Sequence, residues 1–199
     1  MVSRFEVHAR HLLFIFAIVP TITILLAQPT FGQDTPSLSG YWLRNPDDSD
    51  DAEQKIEDAA RAFFDKATKG GRNILSEDIP QIQKRLQYVI ATFVQFAEAL
   101  DIVEESGELR IDDGIGRVRI FYVDGKKHKR QTPDGAKLET ICSRDRDRVV
   151  VEQKLDKVGT ITEVYHPSSD GNTMSLAVRF ESKRFKQPLV VRNVYDRQD

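Results

Sequence analysis

Between residues 100 and 195 the chain breaks into short apolar-rich runs separated by Gly, Asp, Ser and Pro. Met174, Leu176, Val178 and Phe180 alternate with Ser175, Ala177 and Arg179, the two-residue period of a strand with one buried face. Leu100 and Ile102 face Leu109 and Ile111 across a turn near Gly107, and further runs cover 117–123, 126–132, 136–143, 148–155, 159–166 and 189–196. Asp124-Gly125 is a strong hairpin signal, and Arg144-Asp145-Arg146-Asp147 forms a second, charged turn. Roughly seven to nine strands in series with no helix between them predict an antiparallel meander. Another short run, Gly40-Tyr41-Trp42-Leu43, supplies a first strand. With it the meander closes into a barrel, or a strongly bent half-barrel whose open side is covered by helices; closure removes exposed sheet edges.

Two helices are expected between the first strand and the rest. Residues 45–51 are a turn rich in Asp, with Asp50 or Ser49 as N-cap and the other carboxylates where the helix dipole favours negative charge. Asp47, Ser49 and Asp51 alternate as in a calcium loop, but Ala52 stands where an EF-hand needs Gly, so capping is the better reading. The first helix covers about 52–69, with Ile56, Ala59, Ala60, Phe63, Phe64 and Ala67 on one face, and ends at Gly70-Gly71. The second opens at Ser76, tolerates Pro80 in its first turn, and aligns Ile82, Leu86, Val89, Phe93 and Phe96. Together they form a helical hairpin over about 50–97 that lies on the sheet, because each apolar face must be buried against another element.

Residues 1–32 have the pattern of a signal peptide: Arg4 and Arg10, then an apolar core over 12–27, then Thr30 and Gly32 at cleavage spacing before Gln33. That core is about 16 residues long, short of the roughly 20 that cross a bilayer as a helix. An extracytoplasmic protein, periplasmic or secreted, is therefore expected, with no integral membrane domain once the segment is removed. Residues 33–39 are a polar linker, and 40–199 form a single domain.

Lys+Arg 29 nearly balances Asp+Glu 31, so a net charge of −2 provides no field for nucleic acid, which is excluded as a partner. The single Cys142 rules out an internal disulfide and a thiolate cluster, and His128 and His166 are the only histidines left after cleavage. His128 sits among Lys126, Lys127, Lys129 and Arg130, cations that oppose a metal ion; the segment reads as an exposed edge protected by lysines. Glu104, Glu105, Asp112 and Asp113 flank turns rather than a cleft, and nothing resembles a nucleophile elbow. No catalytic residue, metal or cofactor is assigned, and enzyme activity is not expected.

Gly40-Tyr41-Trp42 resembles the G-x-W signature of lipocalins. That resemblance implies a Trp closing one end of a barrel beneath an Arg from the last strand, here Arg197 with Arg192 second. An Arg on an indole face is favourable on its own terms and would tie the first strand to the last. Gly40, Trp42, Asn45, Ser49, Asp50, Tyr195 and Arg197 also resemble the pattern of a group of uncharacterised secreted bacterial proteins that open with G-x-W-x-x-N followed by Ser-Asp and close with V-Y-D-R. This likeness implies a lipocalin-like (calycin-like) barrel closed by Gly40, Trp42, Tyr195 and Arg197. The functional expectation is binding of a small, partly apolar ligand in or beside the barrel, with Phe93, Phe96, Tyr122 and Tyr165 as candidate lining residues. The alternative is an interaction module for an envelope or secreted protein, without a small-molecule ligand.

Overall fold

The computed structural model describes residues 36–69, 80–81, 84, 97–131, 135–156, 158–183 and 187–198. Strand β1 (Gly40–Asn45) leads into helix α1 (Ala52–Lys69), and nine strands follow: β2 (Ala99–Glu105), β3 (Glu108–Asp112), β4 (Val118–Tyr122), β5 (Lys127–Gln131), β6 (Lys137–Asp145), β7 (Arg148–Leu155), β8 (Gly159–Pro167), β9 (Thr173–Glu181) and β10 (Leu189–Gln198). They make one antiparallel sheet in the order β4-β3-β2-β1-β10-β9-β8-β7-β6-β5. The first strand therefore lies between the second and the last, as the reading of Trp42 and Tyr195 expected.

The sheet curls into a half-barrel, and its two edges are β4 and β5, which are consecutive in the chain. This corrects the hairpin expected at Asp124-Gly125: the turn forms, but the strands it joins do not pair. The side chains and backbone at the turn supply the reason. Asp124 Oδ1 accepts from Lys126 N at 2.9 Å, and Gly125 N donates to Cys142 O at 2.9 Å, which draws the start of β5 toward β6. By contrast Ser106 and Gly107, both left-handed with φ of 53° and 82°, make a tight hairpin between β2 and β3.

Residues of one parity point inward and carry the core. Leu100, Ile102, Leu109, Ile111, Val149, Val151, Ile161, Met174, Leu176, Val178 and Phe180 are all buried there. One rim of the half-barrel holds the connections after β1, β5, β7 and β9; the other holds the tight turns after β2, β6 and β8. Helix α1 opens under Asp51, whose Oδ1 accepts from Gln54 N at 3.0 Å, so the cap is Asp51 and not Asp50 or Ser49. Those two serve the neighbouring strand instead: Asp50 Oδ2 accepts from Arg192 N at 2.7 Å, and Ser49 Oγ accepts from Val194 N at 2.9 Å. Most of the expected second helix lies outside the described residues, apart from helical Pro80, Gln81 and Lys84.

Candidate functional site

The closed rim is built around Trp42. Its indole is fully buried, donates from Nε1 to Leu38 O at 2.9 Å, and lies beneath Arg197, whose guanidinium carbon is 4.3 Å from the ring centroid. Arg197 spreads its donors over three carbonyls, Gly171 at 2.6 Å, Ser39 at 2.7 Å and Ser37 at 2.9 Å, so it fastens the segment before β1 and the turn after β8 to the last strand. Gly40 makes room for this: a Cβ there would stand 2.7 Å from Arg197 Nη1. Tyr195, also fully buried, donates to Ala97 O at 3.2 Å, just before β2.

Deeper in the half-barrel, the apolar inner wall is interrupted by a polar centre on β4, β7 and β8. Glu163 stands at an inward position between Ile161 and Tyr165, with 1% of its surface exposed. Arg119, reaching in from edge strand β4, donates from Nη1 to both Glu163 oxygens, at 2.7 and 2.9 Å, and from Nη2 to Tyr165 Oη at 3.0 Å. Tyr165 in turn donates to Glu163 Oε2, and Gln153 Nε2 donates to Oε1 at 3.2 Å. A carboxylate so surrounded meets the condition for a buried ion pair, with its remaining lone pairs satisfied. Burial alone would lower the pKa of Arg119, but the Glu163 charge and the Tyr165 hydroxyl raise it above the ordinary guanidinium range. Burial is also the main reason the Tyr165 phenol is held well above its usual value.

Next to this centre, Thr140 on β6 lies directly opposite Gln153, and its buried Oγ1 has no hydrogen-bond partner among the described residues. Asn193 on β10 is fully buried; its Oδ1 accepts from Arg44 Nε at 3.0 Å, and its Nδ2 likewise has none. Because Arg can only donate, that contact fixes which end of the amide is oxygen. Nη1 of Arg144 on β6 is buried with no hydrogen-bond partner among the described residues as well, so beside the satisfied ion pair there are both neutral and cationic groups with hydrogen-bonding capacity.

At the rim with the long connections, a cleft of about 820 Å³ is bordered by Leu155, Val158, Gly159, Lys154 and Lys183, among others. Gly159 permits β8 to come close to β9: a Cβ would be 2.2 Å from Glu181 O and 2.8 Å from the Phe180 ring.

Of the residues picked out for ligand binding, Phe93 and Phe96 lie outside the described residues. Tyr165 is in the inner polar centre, whereas Tyr122 is on the outer face of β4, 49% exposed, with its ring 5.0 Å from that of His128. His128 Nε2 meets the Asp124 carboxylate at 3.1 Å, and His166 Nε2 meets Asp147 at 2.9 Å, both at the surface. The four turn-flanking carboxylates do not converge: Glu104 pairs with Arg144, Asp112 with Arg110 and Asp113 with Arg117, while Glu105 stands exposed at the end of β2. Cys142 is buried, and desolvation followed by the Glu104 charge pushes its thiol up to about 12. Among the described residues no three His, Cys, Asp or Glu side chains gather as a metal site would require.

Sequence reasoning missed Arg119, Glu163, Gln153, Thr140 and Asn193. A signal for Glu163 was present, since a carboxylate occupies an inward position in Ile161-x-Glu163-x-Tyr165. For Arg119 it was masked, because Val118, Ile120 and Tyr122 make the outward face of β4 the more apolar one.

The chain is thus a mainly β protein, an antiparallel half-barrel with a helix after its first strand. No family model matches the sequence, and no curated protein does. Among solved structures it is similar to Echinococcus granulosus fatty-acid-binding protein 1, 14% identical over 81% of this chain and 98% of that one, with a TM-score of 0.46. Apo lipid binding protein 8 of Caenorhabditis elegans is 10% identical over 80% and 94%, with a TM-score of 0.47. A secretory abundant heat soluble protein of Ramazzottius varieornatus is 9% identical over 81% and 95%, with a TM-score of 0.48.

Proposed function

We propose that this is an exported carrier that holds a small, partly apolar ligand in or beside the half-barrel. The observation that carries the proposal is the cleft of about 820 Å³ at the rim of a curled sheet with an apolar inner wall. Its size falls within the roughly 300–1,000 Å³ of small-molecule sites, and barrel mouths are a recurrent location for them. Leu155 and Val158 give the cleft apolar surface, and Lys154 and Lys183 border it with polar ends. Export is supported by the positive, apolar and small-residue regions of residues 1–32.

Native mass spectrometry of protein purified from its own envelope fraction tests both parts. A mature chain beginning at Gln33 with a co-purifying small molecule is the expected result. A full-length chain in the cytoplasmic fraction would overturn export, and a ligand-free chain that also takes up no added apolar probe would overturn the carrier.

One observation favours a second reading, an interaction module. Val118, Ile120 and Tyr122 form an exposed apolar row along edge strand β4, and Ile115, in the turn before it, is 73% exposed. Such rows on an unpaired edge mark places where another chain can dock. A partner chain in the same mass spectra, in place of a small molecule, would support it.

A further inference from the structure

The outer side of the sheet carries a surface that neither the core nor the cleft uses. Edge strands β4 and β5 are consecutive in the chain and flank the opening of the half-barrel. On β4 the outward residues Val118, Ile120 and Tyr122 are each about half exposed, and no charge interrupts their row. Charge on that row is the usual protection of a solvated edge strand. Beside it, β5 and the residue before it present Lys126, Lys127, Lys129 and Arg130, all exposed, with no acid among them. The two rows meet where the Tyr122 ring lies 5.0 Å from that of His128. Acids are fewer here: Glu139 alone faces both Lys127 and Lys129, at 3.1 and 3.6 Å, Asp124 is turned to His128 at 3.1 Å, and Glu108 stands opposite Tyr122 on β3. Among the described residues no carboxylate forms an ion pair with the side chain of Lys126 or Arg130. The patch is therefore cationic on a chain whose formal net charge is −2.

A soluble polyanion would pair with these cations and leave Val118 and Ile120 in water. A chain docked along β4 would cover the apolar row and leave the cations unused. A bilayer with anionic headgroups supplies both halves, phosphates for the ammonium and guanidinium groups and acyl chains just beneath them for Val and Ile, with Tyr at the boundary. We infer that the β4–β5 side docks on an anionic lipid bilayer, with Val118 and Ile120 entering the headgroup–acyl boundary and Lys126, Lys129 and Arg130 on headgroup phosphates. This surface lies outside the half-barrel and stands whether or not the cleft holds a ligand.

Co-sedimentation with vesicles of equimolar phosphatidylglycerol and phosphatidylcholine, beside vesicles of phosphatidylcholine alone, tests it. The protein used begins at Gln33, because the apolar segment over 12–27 would itself enter a bilayer and Asp34–Asp199 form one compact unit. Binding to the anionic vesicles is expected to be at least about tenfold tighter and to weaken as salt rises. Lys129→Glu with Arg130→Glu should weaken it by about tenfold or more, and Ile120→Ser by about threefold or more. In the unsubstituted protein, a gadolinium-chelating lipid in nanodiscs of the same composition should broaden the methyl signals of Val118 and Ile120 before those of Val190, which is exposed on β10. Equal binding to both kinds of vesicle, or broadening that does not favour Val118 and Ile120, overturns the inference. Loss on charge reversal with no effect of Ile120→Ser overturns it in favour of a soluble polyanion, and binding to neither vesicle overturns it and leaves the row to a partner chain.

Discussion

Replacing Glu163 by Leu is the most informative single perturbation of the fold. It removes the acceptor for Arg119 Nη1, Tyr165 Oη and Gln153 Nε2 in one step, and leaves a guanidinium inside the half-barrel without its counter-charge. Losing one partner of a buried, hydrogen-bonded pair costs about 3–5 kcal/mol. For a domain of this size that is a fall in Tm of roughly 10 °C. Arg119→Leu should cost a similar amount for the opposite reason, since Glu163 is then the uncompensated charge. The double variant removes both charges and leaves only Tyr165 and Gln153 without their acceptor, about 1–3 kcal/mol. Urea denaturation of the four proteins, with coincident transitions by two probes to establish two-state behaviour, gives the cycle. A coupling energy of at least about 2 kcal/mol is expected. Additivity of the two single changes to within about 0.5 kcal/mol would refute the claim that they form one unit.

Three further expectations follow from local geometry. Gly159→Ala should destabilise more than Gly40→Ala, because the new methyl meets the Glu181 backbone oxygen at 2.2 Å in the first case and the movable Arg197 guanidinium at 2.7 Å in the second; comparing the two urea midpoints checks the order. Cys142 should resist a thiol reagent at pH 8 in the native protein and react once urea unfolds it. With a folded pKa of about 12, its share of stability is complete below its unfolded value, about 8.5, and is lost as pH rises above that; rapid native labelling would contradict this. Burial pushes the Asp50 carboxyl up, but the hydrogen bonds from Lys55 and from Arg192 N outweigh it and leave the pKa below the usual value. Its contribution is therefore present above about pH 4 and lost as pH falls further, so Asp50→Asn should flatten the acid limb of a plot of stability against pH.

The half-barrel was legible in the sequence because its strands announce themselves by period and by their turns. Met174 to Phe180 alternate without exception, and Ser106-Gly107 is a hairpin turn that only left-handed backbone can make. The pairing of Asp124-Gly125 was not legible, since a turn residue specifies the bend of the chain but not whether the strands beyond it stay together. There Gly125 bonds to Cys142 and Arg119 to Glu163, both partners far along the chain. The closed rim could be read from Gly40, Trp42 and Arg197 as a small set of special residues. The inner polar centre could not, because it joins β4 to the paired strands β7 and β8, which β4 meets only after the sheet curls, and the apolar outer row of β4 inverted the apparent facing of Arg119.

Methyl NMR of Ile, Leu and Val residues during addition of dodecanol tests the carrier reading most directly, because inner and outer methyls are distinct. Saturable shifts at Leu155, Ile161 and Val178, with Ile115, Val118 and Ile120 unmoved, are the expected result. Shifts confined to the outer row of β4, or none that saturate, would contradict it.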